Sequence, residues 1–197
     1  QRSVGQLKPA VETCERILSA NPRHAGVQRL LARCLSDQGR VAESLEARRK
    51  LVRWYPLADA HWAALAFAMR EAGDTEGALA CLAEGVERVA EGVALQADRL
   101  EILLEQGRHD VALSEADAMA RRWPSDAFSH LWHARALISS SAQRPAVDAA
   151  FARAVALDAD AFDPAYEWAR YLNEHGEHER ADGLLLELGK RADHALA

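Results

Sequence analysis

Eight histidines are the side chains in this sequence that most invite a metal-binding hypothesis. His130 and His133 are one helical turn apart, and His175 and His178 lie on either side of Gly176. Imidazole nitrogens at such spacings can bind zinc. However, the first pair falls at packing positions of a helix, and glutamates surround the second pair in a polar turn. We therefore expect partly buried structural histidines and a solvated turn, and we predict no metal site.

Other motifs for chemistry are absent. The segment 158–163 (DADAFD) has the acidic spacing of a calcium loop, but it lacks the glycine and distal glutamate that such loops need. We expect it to cap a helix that begins at residue 162. The sequence contains no GxGxxG, GxxxxGK[ST], HExxH or GxSxG motif. We predict no catalytic residue and no cofactor, so we expect this chain to be non-enzymatic.

Composition limits the class of protein further. Three cysteines, Cys14, Cys34 and Cys81, cannot all pair and have no CxxC spacing. This favours buried thiols in a reducing cytoplasm, with a Cys14–Cys34 disulfide as the alternative. No run of 18 apolar residues occurs, which predicts no membrane span. The formal net charge of -6 argues against a general nucleic-acid binder. The abundance of alanine and arginine is typical of a bacterial source.

An internal repeat organises the chain. Glycines that follow an apolar helical pattern recur every 34 residues, at Gly5, Gly39, Gly73 and Gly107. Prolines share this period, at Pro22, Pro56 and Pro124. Glycine tolerates the positive φ of a helix C-cap, and proline cannot continue a helix. Each unit is therefore predicted to contain two helices joined at a glycine turn, and the second helix ends near the proline.

The apolar periodicity predicts eleven helices and no strand. They are expected at about 6–20, 25–38, 42–54, 59–72, 76–89, 93–106, 110–122, 127–140, 145–156, 162–175 and 178–190. One helix pair cannot bury its apolar face alone, so neighbouring pairs must stack into one continuous core. Small residues that permit close helix approach stand at one repeated position: Ala32, Ala66, Ala134 and Ala169.

The pattern resembles the tetratricopeptide repeat. The second unit carries Trp62, Leu65, Ala66, Gly73, Ala78 and Leu82, and the fifth carries Trp168, Ala169, Leu172, Gly176, Ala181 and Leu185. The resemblance implies an all-α, right-handed superhelical α-solenoid of helix-turn-helix repeats over residues 1–197. We expect a half repeat at 1–24 and full repeats at 25–58, 59–92, 93–126, 127–161 and 162–195. Two departures are Arg99, where leucine is usual, and the longer fourth turn 139–145, which lacks glycine.

Both ends of the chain carry incomplete repeats on this interpretation. Residues 1–5 would be the tail of a first helix whose beginning is absent, and the segment 183–188 is apolar on more than one side. Terminal repeats normally carry a polar capping face. We therefore expect that the chain is part of a longer protein. The alternative is a natural end covered by self-association.

The resemblance also implies a concave groove lined by the first helix of each pair. The groove positions of the family fall on these residues of the chain: Arg29, Arg33, Phe67, Arg70, Glu101, Leu131, Arg135, Tyr166 and Arg170. Arginine binds carboxylates through two parallel hydrogen bonds, and aromatic rings supply contact area at low entropic cost. A protein or peptide ligand with acidic and apolar side chains is therefore expected, although solvated surface charge explains the same residues.

These observations predict a non-catalytic protein-interaction scaffold that binds a peptide or partner domain in its groove. Two alternatives stay open. One is a regulatory or substrate-recruiting arm of a larger enzyme, for example a glycosyltransferase or sulfotransferase. The other is a structural solenoid that self-associates end to end. Charge is unevenly distributed along the chain, since residues 23–53 carry eight basic and three acidic side chains.

Overall fold

The computed structural model describes residues 7–195, with side chains described for residues 7–190. Eleven α-helices and no strand form this part of the chain. They are α1 (Leu7–Ala20), α2 (Ala25–Asp37), α3 (Val41–Trp54), α4 (Asp59–Glu71), α5 (Thr75–Arg88), α6 (Val93–Glu105), α7 (His109–Arg122), α8 (Ala127–Ser139), α9 (Arg144–Leu157), α10 (Phe162–Glu174) and α11 (His178–Ala195). The expectations about residues 1–5, including the turn at Gly5, lie outside the described residues.

The predicted helices are confirmed by the structure. Every predicted start and end falls within one residue of the observed one, except that the last helix continues to Ala195 instead of residue 190. Apolar residues at helical spacing, together with the glycine and proline breaks, were therefore sufficient to locate the helices. The fold is an all-α solenoid of helix-turn-helix units.

The chain divides into two compact units, residues 1–99 and residues 100–197, and the division falls within α6. In the first unit, consecutive helices from α1 to α5 pack against one another. In the second unit, consecutive helices from α7 to α11 do the same, and α8 also contacts α10. The repeat boundaries proposed from the sequence stay a prediction.

Small side chains and backbone carbonyls form the contact between α2 and α3 in the first unit. Ala32 is fully buried, and its carbonyl accepts a 2.7 Å hydrogen bond from the buried hydroxyl of Ser44. Gln28, also buried, donates to the carbonyl of Ala47 over 3.2 Å. Because both polar side chains have partners, their burial avoids the cost of an unsatisfied donor. The expected close approach at Ala32 is confirmed.

Aromatic stacking fills the core of the second unit. Phe151 is fully buried, with its ring centroid 6.2 Å from those of Trp168 and Tyr171. The Trp168 indole nitrogen donates a 2.9 Å hydrogen bond to Asp148, so its polar edge stays satisfied. This cluster joins α9 to α10, and it includes the buried Ala134 of α8.

The turns between paired helices share one left-handed residue. Gly39, Gly73, Gly107 and Gly176 have φ angles of 74°, 83°, 69° and 78°. At the first of these turns, the amide of Arg40 donates to the carbonyl of Leu35, and that of Gly39 donates to Ser36, both over 2.9 Å. This is the Schellman arrangement, which satisfies two carbonyls at the helix end. The predicted glycine turns are confirmed at these four positions.

The fourth turn builds the same arrangement without glycine. Ser141 occupies the repeat position of the glycines and has a φ of 56°. The amides of Ser141 and Ala142 donate to Ile138 and Leu137 over 3.0 Å each, so the Schellman bonds are intact. The turn has one additional residue before α9, as the sequence predicts. A serine in this region of φ is strained by its Cβ.

One of the predicted helix caps requires correction, and another is confirmed. The N-cap of α10 is Ala161, which makes no side-chain cap bond, so the aspartates of the segment 158–163 do not cap this helix as expected. Instead the Asp158 carboxylate accepts from the Ala161 amide over 3.1 Å and closes the turn after α9. Asp74 does cap α5, by accepting from Gly77 over 2.9 Å.

We expect Ser141→Gly to raise the free energy of unfolding by about 0.5–1 kcal/mol. Glycine removes the left-handed strain at Ser141, and a more flexible unfolded chain offsets part of this gain. Urea unfolding of both proteins measures the difference. The control is Ser140→Gly, one residue earlier, where φ is -85° and glycine relieves nothing. A loss of stability at both positions would contradict the strain argument.

The glycine at position 85 allows close packing between helices of the first unit. A Cβ at Gly85 of α5 would lie 2.9 Å from Leu95 Cδ1 and 2.9 Å from Trp62 Cγ. We expect Gly85→Ala to destabilise by about 1–2 kcal/mol, because the overpacking exceeds the gain in helix propensity. Gly183 of α11 is the matched control, since its Cβ would contact nothing within 4 Å. Gly183→Ala is expected to stabilise by up to about 1 kcal/mol, and thermal unfolding measures both.

Candidate partner-binding surface

A basic cavity lies among α2, α3 and α4 of the first unit. Its volume is about 350 Å³. We call it the arginine cavity, and it is lined by Gly26, Arg29, Leu30, Arg33, Arg48, Leu51, His61 and Ala64. No acidic side chain is among these lining residues. The cavity therefore combines an apolar wall with a concentration of positive charge.

Helix geometry places the first two arginines of the cavity. Arg29 and Arg33 are four residues apart on α2, so they share one face of the helix. Both are exposed, and within the described residues neither makes a hydrogen bond or an ion pair. Their guanidinium groups remain available to an external anion.

Arg48 reaches the cavity from α3. Its side chain is half-buried, and burial lowers the pKa of its guanidinium. The Nε atom is buried and has no hydrogen-bond partner among the described residues. A buried donor without a partner carries a free-energy cost that a bound acceptor would remove.

His61 completes the polar lining from the first turn of α4. It is only 8% exposed, and its ring lies 5.8 Å from that of Tyr55. Burial and, secondarily, the charge of Arg29 lower the pKa of His61, whereas Asp59 opposes this shift. The imidazole is therefore neutral near pH 7 and offers one N–H donor.

In the part of the chain that the structure describes, the arginines of the cavity have no ion-pair partner, whereas most of the other arginines are paired or hydrogen-bonded. Elsewhere ion pairs engage arginine side chains along or between helices, as in Arg40–Glu43, Arg88–Glu84, Arg135–Glu167 and Arg180–Glu177. In a chain with net negative charge, an unpaired basic cluster around one cavity marks a candidate site for an anionic group.

An exposed aromatic ring stands beside the arginine cavity. Phe67 is 62% exposed, and it follows the cavity residue Ala64 by three positions on α4. Residues at this spacing are neighbours on a helix surface. Arg70, the next predicted groove residue, is half-buried on the same helix. The first unit therefore offers an anion-accepting cavity and an adjacent apolar contact.

In the second unit, the predicted groove residue Arg135 is already engaged. Its Nε donates to Glu167 Oε2 over 2.9 Å, and a second terminal nitrogen bonds the other carboxylate oxygen. Its guanidinium also lies 4.5 Å from the centre of the Trp132 ring. The hydrogen bond to Glu167 raises the pKa of Arg135. This side chain joins α8 to α10 and is not free to bind a ligand carboxylate.

The other groove predictions in the second unit have mixed outcomes. Leu131 was expected as an exposed apolar contact, but it is 2% exposed and belongs to the core cluster, so this expectation is wrong. Tyr166 is 46% exposed and stacks on Phe162 at 5.2 Å. Arg170 and Glu101 are exposed, and Arg170 Nε lies 3.8 Å from Glu174.

The histidines and cysteines have structural surroundings. His133 Nε2 lies 2.9 Å from Asp117 Oδ1, and His130 Nε2 lies 3.1 Å from the carbonyl of Pro124. Within the described residues, no group of three or more potential ligands could hold a metal ion. The three cysteines are buried free thiols, and burial raises the pKa of Cys81 to about 12. No helix in residues 7–195 is long and apolar enough to cross a membrane.

Two polar residues that line the arginine cavity, Arg48 and His61, were not predicted from the sequence. Arg48 lies on a second helix, whereas the resemblance assigns the groove to first helices, and His61 was not among the groove positions. The basic excess of residues 23–53 was the available signal for Arg48. For His61 no signal distinguished it from the other seven histidines.

Comparison with known proteins agrees with this architecture. The model of the tetratricopeptide-repeat family matches residues 2–66. MamA 41-end from Desulfovibrio magneticus RS-1 has a TM-score of 0.60 and 17% identity, covering 86% of this chain and 97% of that chain. The MamA RS-1 ArsTM double mutant has a TM-score of 0.60 and 16% identity, covering 87% and 96%. No curated protein matches the sequence.

A human protein shares the fold as well. The human IFIT1 dimer with PPP-AAAA has a TM-score of 0.57 and 17% identity. The match covers 92% of this chain and 46% of the IFIT1 chain, so this chain corresponds to about half of it.

The helical pairs, the left-handed turns and the family match define the class as a helical repeat protein. Residues 2–66 match the tetratricopeptide-repeat model, in agreement with the resemblance seen in the sequence. Repeats of this family support a protein-interaction scaffold in general.

We expect Glu167→Ala to destabilise the protein by about 1–3 kcal/mol. It would leave the half-buried Arg135 guanidinium without its paired acceptor. Glu174→Ala, which breaks the exposed contact to Arg170, is expected to change stability by less than about 0.5 kcal/mol. Urea unfolding followed by circular dichroism measures both variants. Equal effects would show that Arg135–Glu167 is only a surface pair.

Proposed function

We propose that the protein is a non-catalytic scaffold whose first unit binds a peptide segment of a partner protein. The arginine cavity, with its unpaired guanidinium groups, is the observation that carries this proposal. An acidic side chain of the partner enters the cavity, where Arg29 and Arg33 donate charge-assisted hydrogen bonds to its carboxylate. Phe67 receives an apolar side chain of the same segment, since it stands beside the cavity on α4.

The exposed aromatic pair of the second unit supports a further apolar contact. Phe162 and Tyr166 are stacked on α10 and both are about half exposed. Stacked rings offer contact area with few rotatable bonds, so little entropy is lost when a partner covers them. This surface of the second unit, taken by itself, favours a partner with apolar side chains. The buried thiols fit a cytoplasmic protein.

Self-association is a second candidate, favoured by one observation on α11. Leu185 and Leu186 are both exposed on this helix, and a Cβ at Gly183 would meet open space. Exposed neighbouring leucines favour contact with another apolar surface. Light scattering over a range of concentrations tests this candidate, and a mass independent of concentration would remove it.

We expect Arg29→Glu/Arg33→Glu to weaken binding of a short fluorescein-labelled peptide of alternating aspartate and leucine by about tenfold or more. Each lost charge-assisted hydrogen bond contributes about 1.5–3 kcal/mol, and the new glutamates repel the peptide. Fluorescence anisotropy measures the Kd, and circular dichroism verifies unchanged helicity.

The matched control is Arg16→Glu/Lys50→Glu, which makes the same change of charge at exposed positions of α1 and α3. It is expected to weaken binding only slightly, because Arg16 and Lys50 are outside the arginine cavity. Equal loss in both double variants would show non-specific attraction instead of a site. A peptide with lysine in place of aspartate provides the complementary control.

A further inference from the structure

The arginine cavity carries more positive charge than one carboxylate can balance. Arg29, Arg33 and Arg48 all line it, and no acidic side chain does. Of the three, Arg48 has a buried Nε without a hydrogen-bond partner among the described residues. An ionised arginine in such a position is costly to bury unless an acceptor of strong negative charge reaches it. The cavity is therefore suited to a group with more than one negative charge.

We propose that the arginine cavity binds a phosphoryl group carried on a phosphorylated serine, threonine or tyrosine of the partner segment. This inference rests on the proposed function, because it specifies which acidic group enters the same site. A phosphorylated side chain carries a charge of about -1.5 to -2 and three strong acceptor oxygens. Three guanidinium groups around one cavity match this charge and number of acceptors.

Each lining residue has a distinct part in holding the phosphoryl group. Arg29 and Arg33 project from α2 at the exposed side and are free to fork onto its oxygens. Arg48 offers its buried Nε from α3, a donor that has no hydrogen-bond partner among the described residues. His61 adds one donor in its neutral form. The 350 Å³ volume accommodates the group together with bridging water.

A protein is the source of the phosphoryl group that the structure favours. The net charge of -6 opposes the long phosphate backbone of a nucleic acid, whose binding needs an extended basic surface. The three arginines that line this site surround one small cavity, and the adjoining contact is the exposed ring of Phe67. One phosphorylated side chain next to an apolar one satisfies both features.

The test compares three peptides of one sequence with serine, aspartate or phosphoserine at the central position, flanked by leucines. Fluorescence anisotropy of the fluorescein-labelled peptides gives each Kd for the full chain. Phosphoserine is expected to bind about tenfold or more tightly than aspartate, since it makes at least one additional charge-assisted hydrogen bond. Inorganic phosphate is expected to compete with the phosphoserine peptide and to have little effect on the serine peptide.

Substitutions in α3 test whether Arg48 is responsible for the tighter binding of phosphoserine than of aspartate. Arg48→Lys keeps the charge but loses the Nε donor, and Arg48→Gln loses both, so each is expected to reduce the ratio of aspartate to phosphoserine Kd values toward one. Arg49→Gln is the matched control, because this neighbouring arginine pairs with Glu46 at 2.7 Å and is outside the arginine cavity. It is expected to retain the full preference. Thermal unfolding verifies that all three variants remain folded.

The outcomes separate this inference from the proposed function. If the aspartate peptide binds in an Arg29- and Arg33-dependent way but phosphoserine gives no gain, the phosphoryl inference is wrong and the proposed function stands. If none of the peptides binds, both are wrong. A preference that persists in Arg48→Lys and Arg48→Gln overturns the assignment of Arg48. A single-stranded RNA that binds more tightly than the phosphoserine peptide overturns the choice of a protein partner.

Discussion

The repeat depends on one backbone constraint, a left-handed residue at the end of each first helix. This residue reverses the chain in three or four residues, while two amides satisfy carbonyls that the helix leaves open. The reversal sets the antiparallel contact within each pair, and this contact lets alanines such as Ala32 approach the neighbouring helix. Where glycine is replaced, at Ser141, the backbone keeps the same conformation and bears the strain. The turn thus keeps its left-handed conformation although serine disfavours a positive φ.

Local features of the sequence were sufficient to predict the helices and turns. Apolar periodicity, helix-stopping glycines and prolines act over a few residues, so each can be read without knowing the partner helix. The site was less predictable because it depends on contacts between distant residues. The depth of Leu131 depends on how α8 rotates against α9, and the pairing of Arg135 joins residues 32 positions apart. Arg48 reaches the cavity from α3, the second helix of its pair, whereas the resemblance assigns the groove to first helices.

The same repeat position serves different purposes along the chain. Arg33, Arg135 and Arg170 occupy equivalent positions on α2, α8 and α10, and only the first has no acidic partner among the described residues. The difference follows from the acids available nearby, since residues 158–187 supply nine and residues 23–53 supply three. These acids pair with Arg170 within α10 and link Arg135 of α8 to α10. In the basic region Arg33 remains open to an external anion. Segregation of charge along the sequence therefore decides which arginines can recognise a partner.

The buried thiols provide a natural probe of local unfolding in the first unit. Cys14, Cys34 and Cys81 all belong to the first unit, and the second unit has no cysteine. A thiol reagent reaches a buried sulfur only when the surrounding helices separate, so the rate of labelling reports local unfolding. Each cysteine lies on a different helix, α1, α2 or α5. The labelling rate of each cysteine would therefore measure local unfolding around one helix of the first unit. No introduced probe is needed, because the cysteines belong to the sequence itself.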